Sequence, residues 1–168
     1  VLDGGLKSWL ARSGATESGP ITDAPKGGFT VRAPVGAQMI PMDSLRQLVE
    51  LGVAGQIADA RSAGRFAGVD PEPRAGLRGG HMPGASNVPI ASLINQDGGL
   101  RSLDEIAAAF AAGGIETDRP VITTCGSGVT ACGLALGLAL LGNENVFVYD
   151  GSWSEWGASD APIETSAP

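Results

Sequence analysis

One cysteine, set between a β-branched run and a glycine turn, is the residue of this sequence best placed to do chemistry. Val121-Ile-Thr-Thr reads as a short strand after Pro120, and Val129 to Leu141 reads as a helix hydrophobic on nearly all sides. Between them, Cys125-Gly126-Ser127-Gly128 has the composition of a tight loop with several backbone N–H groups pointing inward. Those amides and the positive end of the following helix form a site for an anion, and Cys125 is the side chain placed to supply or meet it. A thiol there is acidified: free cysteine titrates at about 8.5, and helix N-termini or nearby cations lower it to between about 3.5 and 7.5.

The same stretch fits a second pattern. Gly126-x-Gly128-x-x-Ala131 after a strand and before a helix matches a dinucleotide fingerprint, with Asp150, at the end of a strand Val146 to Tyr149, near the expected ribose-binding position. Against that reading, too little chain follows Asp150 for the second half of a doubly wound sheet. A phosphate loop of the GxxxxGK[ST] kind needs a lysine that is missing. A cysteine phosphatase needs an arginine to close the loop, where this chain has Ala131.

Composition narrows the classes further. The length of 168 residues supports one domain plus an extension, and 43% hydrophobic residues suffice for a core. A net charge of −7 argues against a nucleic-acid surface or an anionic membrane as partner, so a basic residue drawn into a site stands out. The apolar helix after Cys125 is too short and glycine-rich to span a bilayer comfortably. The two cysteines, Cys125 and Cys132, resemble neither a disulfide framework nor a metal knuckle, which points to a reducing, cytoplasmic compartment. Cys132 reads as a small buried hydrophobe.

The elements that must position Cys125 follow in order. Val1 to Ala11 aligns without a gap with Val148 to Ala158, matching Asp3 to Asp150, Gly4 to Gly151 and Trp9 to Trp156. This is an internal repeat of a module's closing segment, so residues 1–28 are expected to be the tail of a preceding domain plus a linker, and residues 29–168 a complete second module. Phe29 to Arg32 could form a strand. Asp43 is placed to cap a helix carrying Leu45, Leu48 and Val49, with Gly52 at its end, and Ile57 to Ala60 reads as a buried strand ending at Arg61. Ser62 to Gly84 is a long loop carrying Arg65, Arg74, Arg78 and His81, of a length that is usually functional or disordered. His81 is the only histidine and, beside Pro83 and Gly84, reads as structural rather than as a general base. A turn and short strand follow to Pro89. Ser102-x-x-Glu105 is a capping box for a helix whose Leu103, Ile106 and Phe110 share a face, stopped by Gly113-Gly114. Trp153 and Trp156 are expected to pack rather than to shape a pocket rim. Alternating strands and helices predict an α/β fold with a mainly parallel sheet and a ligand beyond the carboxyl ends of its strands, where Cys125 lies.

Taken together, Asp59-Ala-Arg61, Gly80-His-Met-Pro-Gly-Ala-Ser-Asn87, the Cys125 loop and Tyr149-Asp-Gly-Ser-Trp-Ser-Glu-Trp156 resemble a rhodanese domain. The likeness covers Phe29 to the end and is specifically to the catalytic C-terminal domain of tandem-domain mercaptopyruvate-type sulfurtransferases. It implies a three-layer domain with helices on both faces of the sheet. It also implies that Cys125 carries sulfur as a persulfide, taken from 3-mercaptopyruvate with release of pyruvate and passed to a thiol such as thioredoxin or to cyanide. No cofactor and no metal are implied. By the same resemblance Arg65 and Arg74 hold the substrate's carboxylate and carbonyl, and Gly126, Gly128, Val129 and Thr130 complete the substrate loop. Ser127 corresponds to a relay serine whose His and Asp partners belong to the preceding domain. A thiosulfate-type enzyme, the alternative substrate class, carries basic residues after the cysteine, and this loop has none. The residues suit sulfur transfer on their own chemistry: a ring of N–H groups from Gly126 to Thr130 stabilises thiolate and persulfide alike without supplying a competing acid.

Overall fold

Residues 2–20, 26–30 and 38–165 are described by a computed structural model of the chain. They form five strands, β1 (Gln38–Met39), β2 (Gln56–Asp59), β3 (Ala85–Asn87), β4 (Val121–Thr124) and β5 (Val146–Val148), of which β4 and β5 are the β-branched, apolar ones. All pair in parallel, in the order β1-β5-β4-β2-β3. Parallel neighbours require crossovers, and helices make most of them. The α-helices among the described residues are α1 (Gly5–Ala11), α2 (Met42–Glu50), α3 (Ala63–Ala67), α4 (Leu103–Ala112), α5 (Val129–Leu140) and α6 (Ser152–Trp156).

The pleat of the sheet divides the core in two. Val121, Val146 and Val148 point to one face, and their alternates Ile122, Phe147 and Tyr149 to the other. On the first face α4 and α5 bring Ile106, Phe110, Leu134 and Leu138; on the second, α2 and α6 bring Leu45, Val49, Trp153 and Trp156. The result is the three-layer α/β arrangement expected, with both faces covered as a parallel sheet needs. Local signals set the helix ends. In α4 the Ser102 hydroxyl accepts from the Glu105 amide and the Glu105 carboxylate accepts from the Ser102 amide, a capping box worth about 1 kcal/mol. Trp153 and Trp156 are fully buried, each giving its indole N–H to a carbonyl, of Arg78 and Pro162 respectively, so packing is their role.

Several expectations need correcting. Pro41, not Asp43, is the N-cap of α2, and Asp43 lies in the first turn, where its charge meets the helix dipole without a capping bond. Leu103 is 51% exposed while Ile106 and Phe110 are buried, because it stands at the first turn of α4, before the helix meets the core. Helix α5 is apolar all round but buried on one face only. Ala131, Leu134, Ala135 and Leu138 pack inward, whereas Val129 is 75% exposed and Cys132 is exposed rather than buried. The loop from Ser62 contains α3, which the glycines in its sequence had hidden. Phe29 and Thr30 are not in a strand, and Val31 and Arg32 lie outside the described residues, as do Val1 and part of the linker. Strand β1 has only two residues and was not expected.

Candidate active site

Three strand ends converge on Cys125. Because β2 pairs with β4 so that Asp59 lies beside Thr124, the chain leaving β2 toward Arg61 runs alongside the chain entering the cysteine loop. The chain leaving β5 turns at Asp150-Gly151 into α6, which lies against the same loop. Gly128 closes that loop at the N-terminus of α5. Its φ is 83°, and a Cβ there would come within 2.6 Å of the Asp150 carbonyl oxygen, so only glycine fits. The Asp150 carboxylate also packs on Gly128, within 2.7 Å of that Cβ position, where a dinucleotide pyrophosphate would have to approach. The dinucleotide reading does not survive this placement.

Cys125 lies at the bottom of a cleft of about 300 Å³ whose walls include Arg65, Glu72, Arg74, Ser127, Thr130 and Ser154. Burial by itself pushes its thiol up. The Thr130 hydroxyl, the Ser127 and Ala131 amides and the Ser152 hydroxyl together outweigh burial and hold the thiol below its ordinary value. The Ser127 amide nitrogen is 3.4 Å from Sγ and the Ser152 Oγ 3.8 Å. These donors differ from the expected run of amides from Gly126 to Thr130: Thr130 acts through its hydroxyl and the ring reaches Ala131.

Helix α6 braces the loop from below, which the sequence did not suggest. The Trp153 amide donates to the Cys125 carbonyl at 2.9 Å and the Ser154 amide to the Gly126 carbonyl at 2.9 Å. The Ser152 hydroxyl accepts from the Cys125 amide at 3.0 Å, and its one proton is shared between the Tyr149 carbonyl at 2.8 Å and Cys125 Sγ. Ser152 is fully buried and has φ of 50°, a conformation that costs a serine on the order of 1 kcal/mol. The only sequence signal for it is the repeat, in which the aligned residue, Gly5, has φ of 58°.

The opposite wall is charged. Arg61, buried, forks onto Asp59 (Nη2–Oδ2 2.7 Å), donates to the Gly80 carbonyl and lies 4.2 Å from the centre of the Trp153 ring. Its other edge meets Glu72 (Nη1–Oε1 2.8 Å), whose second oxygen holds Arg65 (Nη2–Oε2 2.6 Å). Arg74 donates to the Ser154 hydroxyl, which itself donates to the Gly126 carbonyl at 2.5 Å. So Arg65, Arg74, Gly126, Ser127, Val129 and Thr130 share the cleft with Cys125, while Gly128 shapes the loop without lining it. Arg78 and His81 are elsewhere. Arg78 takes the Trp156, Gly157 and Ala161 carbonyls at the end of α6. His81 is buried, stacked on Phe66 with Nδ1 2.8 Å from the Phe66 carbonyl, in the structural role expected of it.

Comparison with known proteins agrees with this layout. Residues 42–159 match the rhodanese-like domain. The chain belongs to the rhodanese family. It is 44% identical over 165 residues to 3-mercaptopyruvate sulfurtransferase of Escherichia coli, an alignment covering 98% of this chain and 57% of that protein. The crystal structure of the 3-mercaptopyruvate sulfotransferase SseA from the same species matches with a TM-score of 0.69 and 38% identity, over 91% of this chain and 55% of that one. A structure of EanB in a persulfide state with ergothioneine matches with a TM-score of 0.80 and 25% identity, over 99% of this chain and 41% of that one. The chain thus spans about half the length of the proteins it resembles. Among the described residues no helix is long and apolar enough to cross a membrane.

Proposed function

We propose that this chain is the catalytic half of a sulfurtransferase that takes sulfur from 3-mercaptopyruvate, with Cys125 as carrier. The observation that carries the reading is a cysteine held below its ordinary value by uncharged donors, at the bottom of a cleft that also holds two arginines. The Cys125 thiolate attacks the substrate sulfur. An S–S bond forms, the C3–S bond breaks, and the electron pair leaves on C3 as an enolate. The proton from the substrate thiol returns to C3, giving pyruvate and a Cys125 persulfide anion. An acceptor thiol, such as that of thioredoxin, or cyanide then removes the outer sulfur and regenerates the thiolate. The ring of neutral donors suits both anions because none of its members is an acid that would protonate them.

Arg65 and Arg74 are the groups for the carboxylate and carbonyl of the 2-oxo acid, and Ser127 is the hydroxyl that relays the proton. A serine needs a base for this, and His81 is buried off the cleft under Phe66. We assign the base to a preceding rhodanese-like domain, residues 1–28 being its closing tail plus the linker. The two free cysteines support a reducing, cytoplasmic setting.

Intact mass before and after exposure to 3-mercaptopyruvate tests the carrier: one sulfur is gained by the wild type and none by Cys125→Ser. A gain that survives in Cys125→Ser and disappears in Cys132→Ser would overturn the assignment. Turnover by this chain beside a longer protein that includes the preceding domain tests the relay. The shorter chain should be slower by about 10²–10⁴-fold, the usual yield of acid–base help. Thiosulfate turned over as well as 3-mercaptopyruvate would reject the substrate.

A further inference from the structure

Arg65 is held in a way that neither its sequence position nor its charge explains. Its guanidinium is sandwiched between a buried carboxylate and a glycine. On one side Glu72, whose side chain is only 1% exposed, accepts from Nη2 at 2.6 Å and from Nε at 3.3 Å, and is itself fixed by Arg61 at 2.8 Å. On the other side lies Gly126, where an added Cβ would stand 2.8 Å from Nη2 and 3.6 Å from Nη1 of Arg65. Gly126 does not have a positive φ, so the backbone itself would accept alanine. The glycine is needed for the space over its Cα, and the occupant of that space is the Arg65 guanidinium.

We propose that Gly126 and Glu72 are positioning residues for Arg65: the carboxylate pins the guanidinium, and the missing side chain at 126 lets it lie against the cysteine loop, beside Cys125. Charge alone would not require this. An unpinned arginine explores many rotamers, and a pinned one presents its remaining N–H donors to a bound anion with less ordering cost. The residue following the nucleophile then governs anion selectivity by its size, through the arginine it admits or displaces. The inference rests on reading the cleft as a site for an anionic substrate, but its test needs no turnover. Failure to transfer sulfur from 3-mercaptopyruvate would defeat the proposed function and leave this measurement intact.

The test compares alkylation of Cys125 by iodoacetate, an anion, and iodoacetamide, its neutral counterpart, in a Cys132→Ser background that removes the exposed second thiol. Gly126→Ala should lower the ratio of the two rates about three- to tenfold, as should Arg65→Ala, because each takes the cation from the reagent's path. The double variant should fall no further than either single one. Glu72→Gln should lower the ratio in the same direction. For Gly126→Ala the iodoacetate rate should fall more than the iodoacetamide rate, since the clash falls on the charged end of the Arg65 side chain. An unchanged ratio in Gly126→Ala, Arg65→Ala or Glu72→Gln would overturn the proposal. So would a double variant whose loss equals the product of the two single losses, or an iodoacetamide rate that falls as much as the iodoacetate rate.

Discussion

The two walls of the cleft are built on opposite principles. The α6 side is neutral: serine hydroxyls and backbone amides of residues 152–154 reach the carbonyls, amide and sulfur of the Cys125 loop. The facing side is a chain of full charges, Asp59–Arg61–Glu72–Arg65, mostly buried, with Arg74 beyond it. Dipoles on one side meet the Cys125 thiol; under the proposed function the charges on the other receive the substrate. The walls touch where Arg74 donates to Ser154 and where Arg61 lies over Trp153; away from those contacts each can be altered alone, and rate and affinity should respond to different residues.

The sharpest break is at the point where the walls meet. Cys125→Ser should abolish sulfur transfer while leaving substrate affinity measurable, since the arginine wall is intact; loss of binding by calorimetry would show that the walls are not independent. On the charged side, Arg74→Ala or Arg65→Ala should lower kcat/KM roughly ten- to a hundredfold, from a charge-assisted contact of about 1.5–3 kcal/mol, and mainly through KM. A loss confined to kcat would place that arginine with the nucleophile instead. On the neutral side the expected effect is smallest. Ser152→Gly removes a hydroxyl whose one proton is shared between the Tyr149 carbonyl and Sγ, and relieves the positive φ, so the midpoint of the alkylation pH profile should move up by a fraction of that produced by losing all the donors. The folded thiol lies below its unfolded value, so its contribution to stability is present above the unfolded value and lost as pH falls through the folded one. The thermal midpoint of wild type should therefore gain on that of Ser152→Gly as pH rises. An unshifted alkylation profile would make Ser152 a brace only.

What could be read from the sequence was what local chemistry determines. The β4–loop–α5 unit was legible because strand propensity, glycines and an apolar helix run together in one stretch, and the capping box at Ser102 because its two partners are three residues apart. Arg65 and Arg74 came from a resemblance, not from periodicity. Ser152 and Ser154 were missed because their partners are distant in the chain, Ser152 lying 27 residues from the amide it accepts from; Glu72 was missed because it lies in an irregular loop and takes its meaning from two arginines, 7 and 11 residues away, that no periodicity ties to it. The exposure of Cys132 was hidden for a different reason. A helix of alanine, glycine and leucine has no polar stripe to announce which side faces the sheet. The two aligned segments do not share an environment, for Trp9 is 42% exposed where its counterpart Trp156 is fully buried.

The distance between Cys125 and its brace has a consequence for how the protein is made. Chain synthesis runs at about 5–20 residues per second, so the 27 residues between Cys125 and Ser152 separate their appearance by roughly one to five seconds. During that interval the loop lacks the Trp153 and Ser154 amides on its carbonyls and the Ser152 hydroxyl beside its sulfur. The Thr130, Ser127 and Ala131 donors are close to Cys125 in the chain and can form without α6, whereas the Ser152 hydroxyl and the bracing amides arrive only when that helix docks. The order of residues along the chain thus makes the brace the last part of the loop's surroundings to be completed.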